Sequence, residues 1–346
     1  VKGTTSPNPA VGAVIVKNRE IAGMGATQPQ GQDHAEIVAI KRAGASAKGA
    51  TLYVTLEPCC HFGHTGPCTK QIIDAGIKRV VCCIKDPNTL VNGKGFSMLR
   101  KAGIQVRTGL MKDQAENLIR EYSKYITQSL PFVTLKLAMT WDGRICDTFG
   151  QSRWITGKEM RLWVHKMRVL NDAVMVGQGT VKKDNPSLTV RHVIGRNPVR
   201  VILDHNLSLS GQLRIAKTAP RIKTIVIHSV NSPLIAKKRY WRGADYIYLR
   251  GKDNIPPKLI LKVLAQRSIT SLLLEGGSNL ASGFVRAGAV DRYAFCFGPM
   301  ILGQGLMGLN HTRINNLKNS IKLSNINIEQ FGNDILLTGY PEKRKG

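Results

Sequence analysis

No apolar run in these 346 residues reaches the roughly 18 positions that a membrane-spanning helix needs, and no signal peptide opens the chain, so no membrane is expected among its partners. Acidic residues are scarce, with 22 Asp and Glu against 50 Lys and Arg and a formal net charge of +28. Cysteine is sparse too. Seven is an odd count, which excludes a fully paired disulfide framework and suits a reducing cytoplasm with a metal site. There is no internal repeat and no low-complexity stretch, which excludes a solenoid. Methionine is lacking at the first position, where Val1 stands, and the expectation is a fragment or a processed product.

What remains is globular in composition, 42% hydrophobic and 21% charged, and long enough for two domains. Residues 1–128 carry 17 basic and 9 acidic side chains, hence +8, and the remainder carries +20. The excess is spread thinly, with short concentrations at Lys237-Lys238-Arg239 and Lys343-Arg344-Lys345. Such a diffuse field concentrates any phosphorylated ligand. It does not specify a polymer, and no nucleic-acid partner is expected.

Residues 10–110 alternate short apolar strands with helical patterns. Strands are expected at Ala10–Val16, Thr51–Thr55, Val80–Ile84 and Ile104–Val106, and helices at Ala35–Ala43, Thr69–Ala75 and Phe96–Ala102. Gly76 and Gly103 end the last two helices, since a residue without Cβ suits a left-handed cap. Gln114–Gln128 reads as one connecting helix that Pro131 stops, placing the domain boundary at 128/129. A second alternation follows, with strands at Phe132–Met139, Ala173–Val176, Val199–Leu203, Thr224–Ile227 and Ser271–Leu274. Its helices are Met160–Leu170, Lys258–Gln266 and Leu280–Ala287, and a hairpin closes the chain around Gly332-Asn333. Both halves are expected to be α/β, each built on a partly parallel sheet.

Three pieces in the first half carry chemistry: His34-Ala35-Glu36, Pro58-Cys59 and Pro67-Cys68. Singly, a histidine is most often a satisfied structural residue and a cysteine a small buried hydrophobe. The arrangement is what matters. His34 opens a helix, Cys59 follows a strand, and Cys68 opens the next helix, with Pro58 and Pro67 suited to first-turn positions. Helix starts favour thiolate, the form that binds zinc. Three protein ligands leave a fourth position to water, as in catalytic sites, and Glu36 stands where a proton shuttle is needed. This is the H-x-E…P-C-x-x-C logic of zinc nucleobase deaminases, except that Cys59 and Cys68 are nine positions apart.

The segment Glu57-Pro58-Cys59-Cys60-His61-Phe62-Gly63-His64-Thr65-Gly66-Pro67-Cys68 resembles the E-P-C-S-H-x-G-[RK]-T-P-P-C stretch of riboflavin-biosynthesis deaminases. Pro7-Asn8-Pro9-Ala10-Val11-Gly12 and Asp86-Pro87-Asn88 are similar to two further loops of that family. In the second half, Lys136–Arg144, Ser152–Gly157, Val176–Val181 and Asp184–Arg191 resemble the family's reductase motifs. The resemblance covers essentially the whole chain. It implies a cytidine-deaminase-like α/β/α domain joined to a dihydrofolate-reductase-like α/β domain, with zinc and NADPH as cofactors. The implied substrate is a small phosphoribosylamino-pyrimidine, deaminated by hydrolysis and then reduced at its ribose.

Residue by residue, the resemblance implies His34, Cys59 and Cys68 as zinc ligands and Glu36 as the proton carrier. Asn8 and His61 would help to hold the pyrimidine. NADPH would touch Ala138, Trp154, Thr180, Asp184, His205 and the run Gly276, Gly277, Ser278, Asn279, Leu280 and Ala281. That run leads an apolar strand through paired glycines into a helix, which brings backbone amides close to a phosphate. Ser152, Arg168, Leu188, Arg191 and Glu275 would face the sugar phosphate, where the forked donors of arginine suit phosphate. For each arginine a surface salt bridge is the ordinary alternative. Lys136 is the candidate for protonating the ribose ring oxygen.

Several positions depart from the family pattern: His64, Gly66, Thr89, Trp141 and His205, together with the absence of a helix before the Pro7-Asn8-Pro9 loop. The rival reading is therefore a reductase beside a decayed deaminase domain. A nucleic-acid deaminase or a non-catalytic binding module would leave the second half unexplained. No departure removes a zinc ligand or Glu36. The sequence leaves the oligomeric state open, a homo-oligomer included.

Overall fold

Burial alternates along β1 (Gly12–Lys17), where Ala13 and Ile15 are buried, with the period of two that points successive side chains to opposite faces. In this computed structural model, which describes residues 1–62, 66–230, 240–251 and 255–342, that strand lies inside a five-stranded sheet. His64 and the basic clusters at 237–239 and 343–345 lie outside the described residues. The chain divides into two units, Val1–Leu130 and Pro131–Gly346.

The first unit runs β1, β2 (Glu20–Ala26), α1 (Ala35–Ala43), β3 (Thr51–Leu56), α2 (Cys68–Asp74), β4 (Arg79–Ile84), α3 (Lys94–Lys101) and β5 (Gln105–Thr108). Its sheet order is β2-β1-β3-β4-β5, with β1 antiparallel to both neighbours and β3, β4 and β5 parallel. The sequence expectation did not include β2, and the reason is steric. A Cβ on Gly25 would stand 2.0 Å from the Ala35 carbonyl oxygen, and one on Gly23 would stand 2.4 Å from that of Ala39. These glycines let α1 lie directly on the strand, and they also break the apolar alternation that announces one.

Gly76 and Gly103 have φ of 67° and 82°, the left-handed conformation expected of them. The helix expected over Gln114–Gln128 is two helices, α4 (Lys112–Leu118) and α5 (Arg120–Gln128). They break at Ile119, which leaves helical geometry (φ −102°, ψ 13°) with its side chain buried in the core.

The second unit comprises β6 (Phe132–Met139), β7 (Arg144–Cys146), α6 (Lys158–Leu170), β8 (Ala173–Gly177), α7 (Gln178–Asp184), β9 (Val199–Leu203), α8 (Arg214–Lys217) and β10 (Thr224–His228). It continues through β11 (Ala244–Tyr248), α9 (Pro257–Ala265), β12 (Ser271–Glu275), α10 (Ser278–Arg286), β13 (Arg292–Phe297) and β14 (Leu306–Met307). The hairpin of β15 (Leu323–Phe331) and β16 (Asp334–Pro341) closes it. Nine strands form one sheet in the order β11-β10-β9-β8-β12-β6-β13-β16-β15. From β11 to β13 neighbours are parallel, and the closing hairpin is antiparallel.

Leu272, Leu273 and Leu274 of β12 are fully buried, as a strand covered on both faces requires. On β6 only Lys136 and Ala138 are less than buried.

Candidate active sites

In the first unit His34 caps α1 in an extended conformation, and its side chain makes no capping bond. Its Nδ1 instead lies 3.1 Å from Sγ of Cys68 and 3.5 Å from Sγ of Cys59. The three donor atoms all fall within 4.8 Å of one another. Zn–N of about 2.0 Å and Zn–S of about 2.3 Å at tetrahedral angles call for N···S separations of about 3.6 Å, so the cluster fits a zinc ion.

Cys68 is the first residue of α2, as expected, but no helix begins at Pro58. Cys59 sits on irregular backbone after β3, and its link to a helix start is indirect. Its Sγ accepts the backbone N–H of Cys68 at 3.3 Å, and its carbonyl accepts that of Thr69. Hydrogen bonding to the Cys68 thiol, then to His34, draws the Cys59 thiol well below the usual thiol range. The hydrogen bond it gives to Cys59, and then burial, push the Cys68 thiol up. The same contact with Cys59 raises His34.

Glu36 lies in the first turn of α1, only 4% exposed. Burial, reinforced by the nearby Cys59 charge, pushes its carboxyl up to about 7. An acid near neutrality can both take and give a proton at physiological pH. Asn8 and His61 are both half-buried, and Nδ1 of His61 is buried without a hydrogen-bond partner among the described residues, a donor or acceptor left for a ligand.

Sequence reasoning did not single out Glu57. Its carboxylate is buried and accepts the backbone N–H groups of Asp86, Gly93 and Phe96 at 2.8–3.2 Å. It thereby ties the end of β3 to the Asp86-Pro87-Asn88 turn and to the start of α3. Its place directly before Pro58-Cys59 was the available signal.

The second unit holds a cavity of about 1440 Å³ at the C-terminal ends of β6, β8, β9 and β12, the end where open α/β sheets bind ligands. Lys136 and Ala138 of β6 face into it, as do Ser152, Thr180, Asp184, Leu188 and His205. Arg168 and the run Glu275–Leu280 complete the expected lining. Three expected residues do not line it. Trp154 is 66% exposed, with the Arg161 guanidinium 4.4 Å over its ring, Ala281 is buried in the core, and Arg191 is exposed.

Gly277 caps α10 without a side-chain bond, and its N–H donates to Oγ1 of Thr180 at 3.1 Å. The turn is thereby fixed with the first amides of α10 at the cavity. Arg168 is no surface salt bridge. It grips Glu275 through Nε (2.7 Å) and Nη2 (2.9 Å), with both side chains nearly buried. Although burial pushes Glu275 up, the charge and hydrogen bonds of Arg168, with the charge of Lys136, together outweigh it and hold the carboxyl below its ordinary range. Lys136 stands beside Glu275 in the β6–β12 register.

The cavity also takes in Lys182, Lys183, Arg286, His311 and Arg313, none of them anticipated. Asn279, Gly283 and Arg286 share its wall at the three- and four-residue spacing of one helix face, a legible signal.

A zinc-type His/Cys/Cys cluster with a buried carboxylate, followed by a second α/β unit with a large basic cleft, defines a deaminase joined to a reductase. Comparison with known proteins agrees. Residues 1–84 match the cytidine and deoxycytidylate deaminase zinc-binding region, and residues 131–337 match the RibD C-terminal domain. The chain is 42% identical to riboflavin biosynthesis protein RibD of Aquifex aeolicus, over 97% of this chain and 93% of that protein. It is 41% identical to the RibD of Bacillus amyloliquefaciens, over 99% and 93%. A diaminohydroxyphosphoribosylaminopyrimidine deaminase/5-amino-6-(5-phosphoribosylamino)uracil reductase from Thermotoga maritima superposes with a TM-score of 0.88 at 38% identity, covering 98% of this chain and 94% of that one.

The chain belongs to the RibD family of bifunctional riboflavin-biosynthesis enzymes. Its cofactors are zinc in the deaminase domain and NADPH in the reductase domain. Both domains are present, and the rival reading of a lone reductase gains no support. No described helix is long and apolar enough to cross a membrane.

Proposed function

We propose that the first unit deaminates 2,5-diamino-6-(5-phosphoribosylamino)pyrimidin-4-one and that the second reduces the ribosyl group of the product to ribityl. The observation that carries the first half is the His34, Cys59 and Cys68 cluster with Glu36 buried two residues from His34. Zinc, when held by those three residues, supplies Lewis-acid activation of water. Glu36 carries the first proton of the water to the ring nitrogen and the second to the leaving amine. Asn8 and His61 hold the pyrimidine.

NADPH, when bound, supplies hydride. Gly276, Gly277, Ser278, Asn279 and Leu280 would hold its phosphates through their amides, and Ala281 supports that turn from the core. Ala138, Thr180, Asp184 and His205 complete the cofactor site. Ser152, Arg168, Leu188 and Glu275 bind the sugar phosphate. Lys136, beside Glu275, donates the proton to the ribose ring oxygen as the sugar opens. All seven cysteines are unpaired, which supports a reducing, cytoplasmic setting.

Mass spectrometry of the products formed from the diaminopyrimidine nucleotide tests the reading. Without NADPH the deaminated ribosyl compound is expected, and with NADPH the deaminated ribityl compound. Recovery of unchanged nucleotide under both conditions would refute it.

A further inference from the structure

Segment 185–191 forms part of the reductase cavity wall through Pro186 and Leu188, yet it has no regular structure. Its backbone is held mainly by side chains. The Thr189 carbonyl accepts from Nη1 of Arg168 (3.0 Å), the Val190 N–H donates to Oδ1 of Asn197 (2.8 Å), and the Arg191 N–H donates to Nδ1 of His165 (3.0 Å). The Ser187 carbonyl accepts from Nη1 of Arg200 at 3.3 Å. Leu188 sits at φ 54°, a left-handed conformation that a leucine adopts only when its surroundings over-determine it.

Arg200 stands apart from the other ties. It is 0% exposed, the largest of the fully buried side chains. Among the described residues no carboxylate meets it. Its other acceptors are the hydroxyls of Thr218 and Thr224 and the carbonyls of Ile215 and Ile222. Burial draws the guanidinium down only to about 10, so it stays charged at neutral pH. A buried cation without a nearby counter-charge is costly, and an apolar residue would relieve that cost. What only a guanidinium supplies is a planar fork wide enough to join α8, the entry to β10 and Ser187 at once.

Building on the reductase reading above, we infer that Arg200 is a positioning residue, which sets the height of Pro186 and Leu188 in the cavity wall. It acts on binding of the phosphorylated sugar and not on the cofactor, whose phosphate-facing turn at Gly276–Leu280 belongs to a different element. Arg200→Lys keeps the charge and loses the fork. Asn197→Ala removes a second tie from an exposed position, where folding is not at risk.

Steady-state reduction of the deaminated nucleotide and NADPH binding by fluorescence are measured on both variants of the full chain. Arg200→Lys is expected to raise KM for the nucleotide about tenfold, with kcat and the NADPH Kd within about twofold, the signature of lost ground-state binding. Asn197→Ala shifts KM the same way by less. An unchanged KM in either variant overturns the inference. So does a common shift of KM, kcat and NADPH Kd, which marks a merely structural role. Absence of reduction by the unmutated chain would sink the functional reading instead. Amide exchange of the 186–191 peptide would then decide the role of Arg200, with faster exchange expected in Arg200→Lys and unchanged exchange refuting it.

Discussion

Sγ of Cys59 accepts the backbone N–H of Cys68 at 3.3 Å, so one proposed zinc ligand caps the helix that the other begins. Pro67, at the capping position itself, offers no side-chain acceptor. The two cysteines, nine positions apart, thus meet at the start of α2, and metal binding and local folding share the same sulfur.

Near-stoichiometric zinc is expected in the unmutated chain. Cys59→Ser should lose the metal yet keep α2, because a hydroxyl can still accept the Cys68 N–H. Cys59→Ala should lose both, with about 1 kcal/mol of additional destabilisation from the missing cap. Metal analysis and thermal unfolding check this, and full zinc content in Cys59→Ser would contradict the ligand assignment.

The Arg168–Glu275 pair predicts an asymmetry between single and double substitution. Arg168→Met leaves a nearly buried carboxylate without its partner, which should cost about 3–5 kcal/mol. Arg168→Met combined with Glu275→Leu should cost less than the single change. All four tryptophans, Trp141, Trp154, Trp163 and Trp241, lie in the second unit. Urea unfolding followed by their fluorescence therefore reports on that unit. A double variant less stable than Arg168→Met would refute the pairing argument.

His165 supplies a pH signature. Burial first, then the charges of Arg168 and Arg191, lowers its imidazole to about 4 from the usual 6.5, and its Nδ1 accepts the Arg191 N–H. A lowered folded-state value means that the unfolded chain protonates first. The second unit should therefore lose stability as pH falls from 6.5 through about 4. In an NMR titration the His165 ring should remain neutral at pH about 5.5, where an unperturbed imidazole is mostly charged. A midpoint near the ordinary value would contradict the geometry.

Much of this was legible in the chain. β6 and β9 begin and end where apolar alternation places them, and α1 is bounded by its own pattern. The cluster of His34, Cys59 and Cys68 was legible through residue chemistry. What was hidden has physical causes. β2 depends on Gly23 and Gly25, whose value is the space they leave for α1. α7 was masked by Gly179, which weakens the helical pattern around Gln178–Asp184. The bonding of Arg168 to Glu275 joins residues 107 positions apart, beyond any local pattern. Glu57 looks like an ordinary exposed acid until the amides of Asp86, Gly93 and Phe96 are brought around it.

The central claim is two independent catalytic sites on one chain, and Glu36→Gln tests it most directly. The amide keeps the size of the carboxyl and cannot carry a proton, so zinc content and fold should be retained. Ammonia release from the diaminopyrimidine nucleotide should fall by about 10²–10⁴-fold, the usual contribution of general acid–base help. NADPH oxidation with the deaminated nucleotide supplied directly should be unchanged, because that site is assembled within the second unit. Loss of ammonia release alone is the predicted result. Equal loss of both activities, or undiminished ammonia release, would contradict the account.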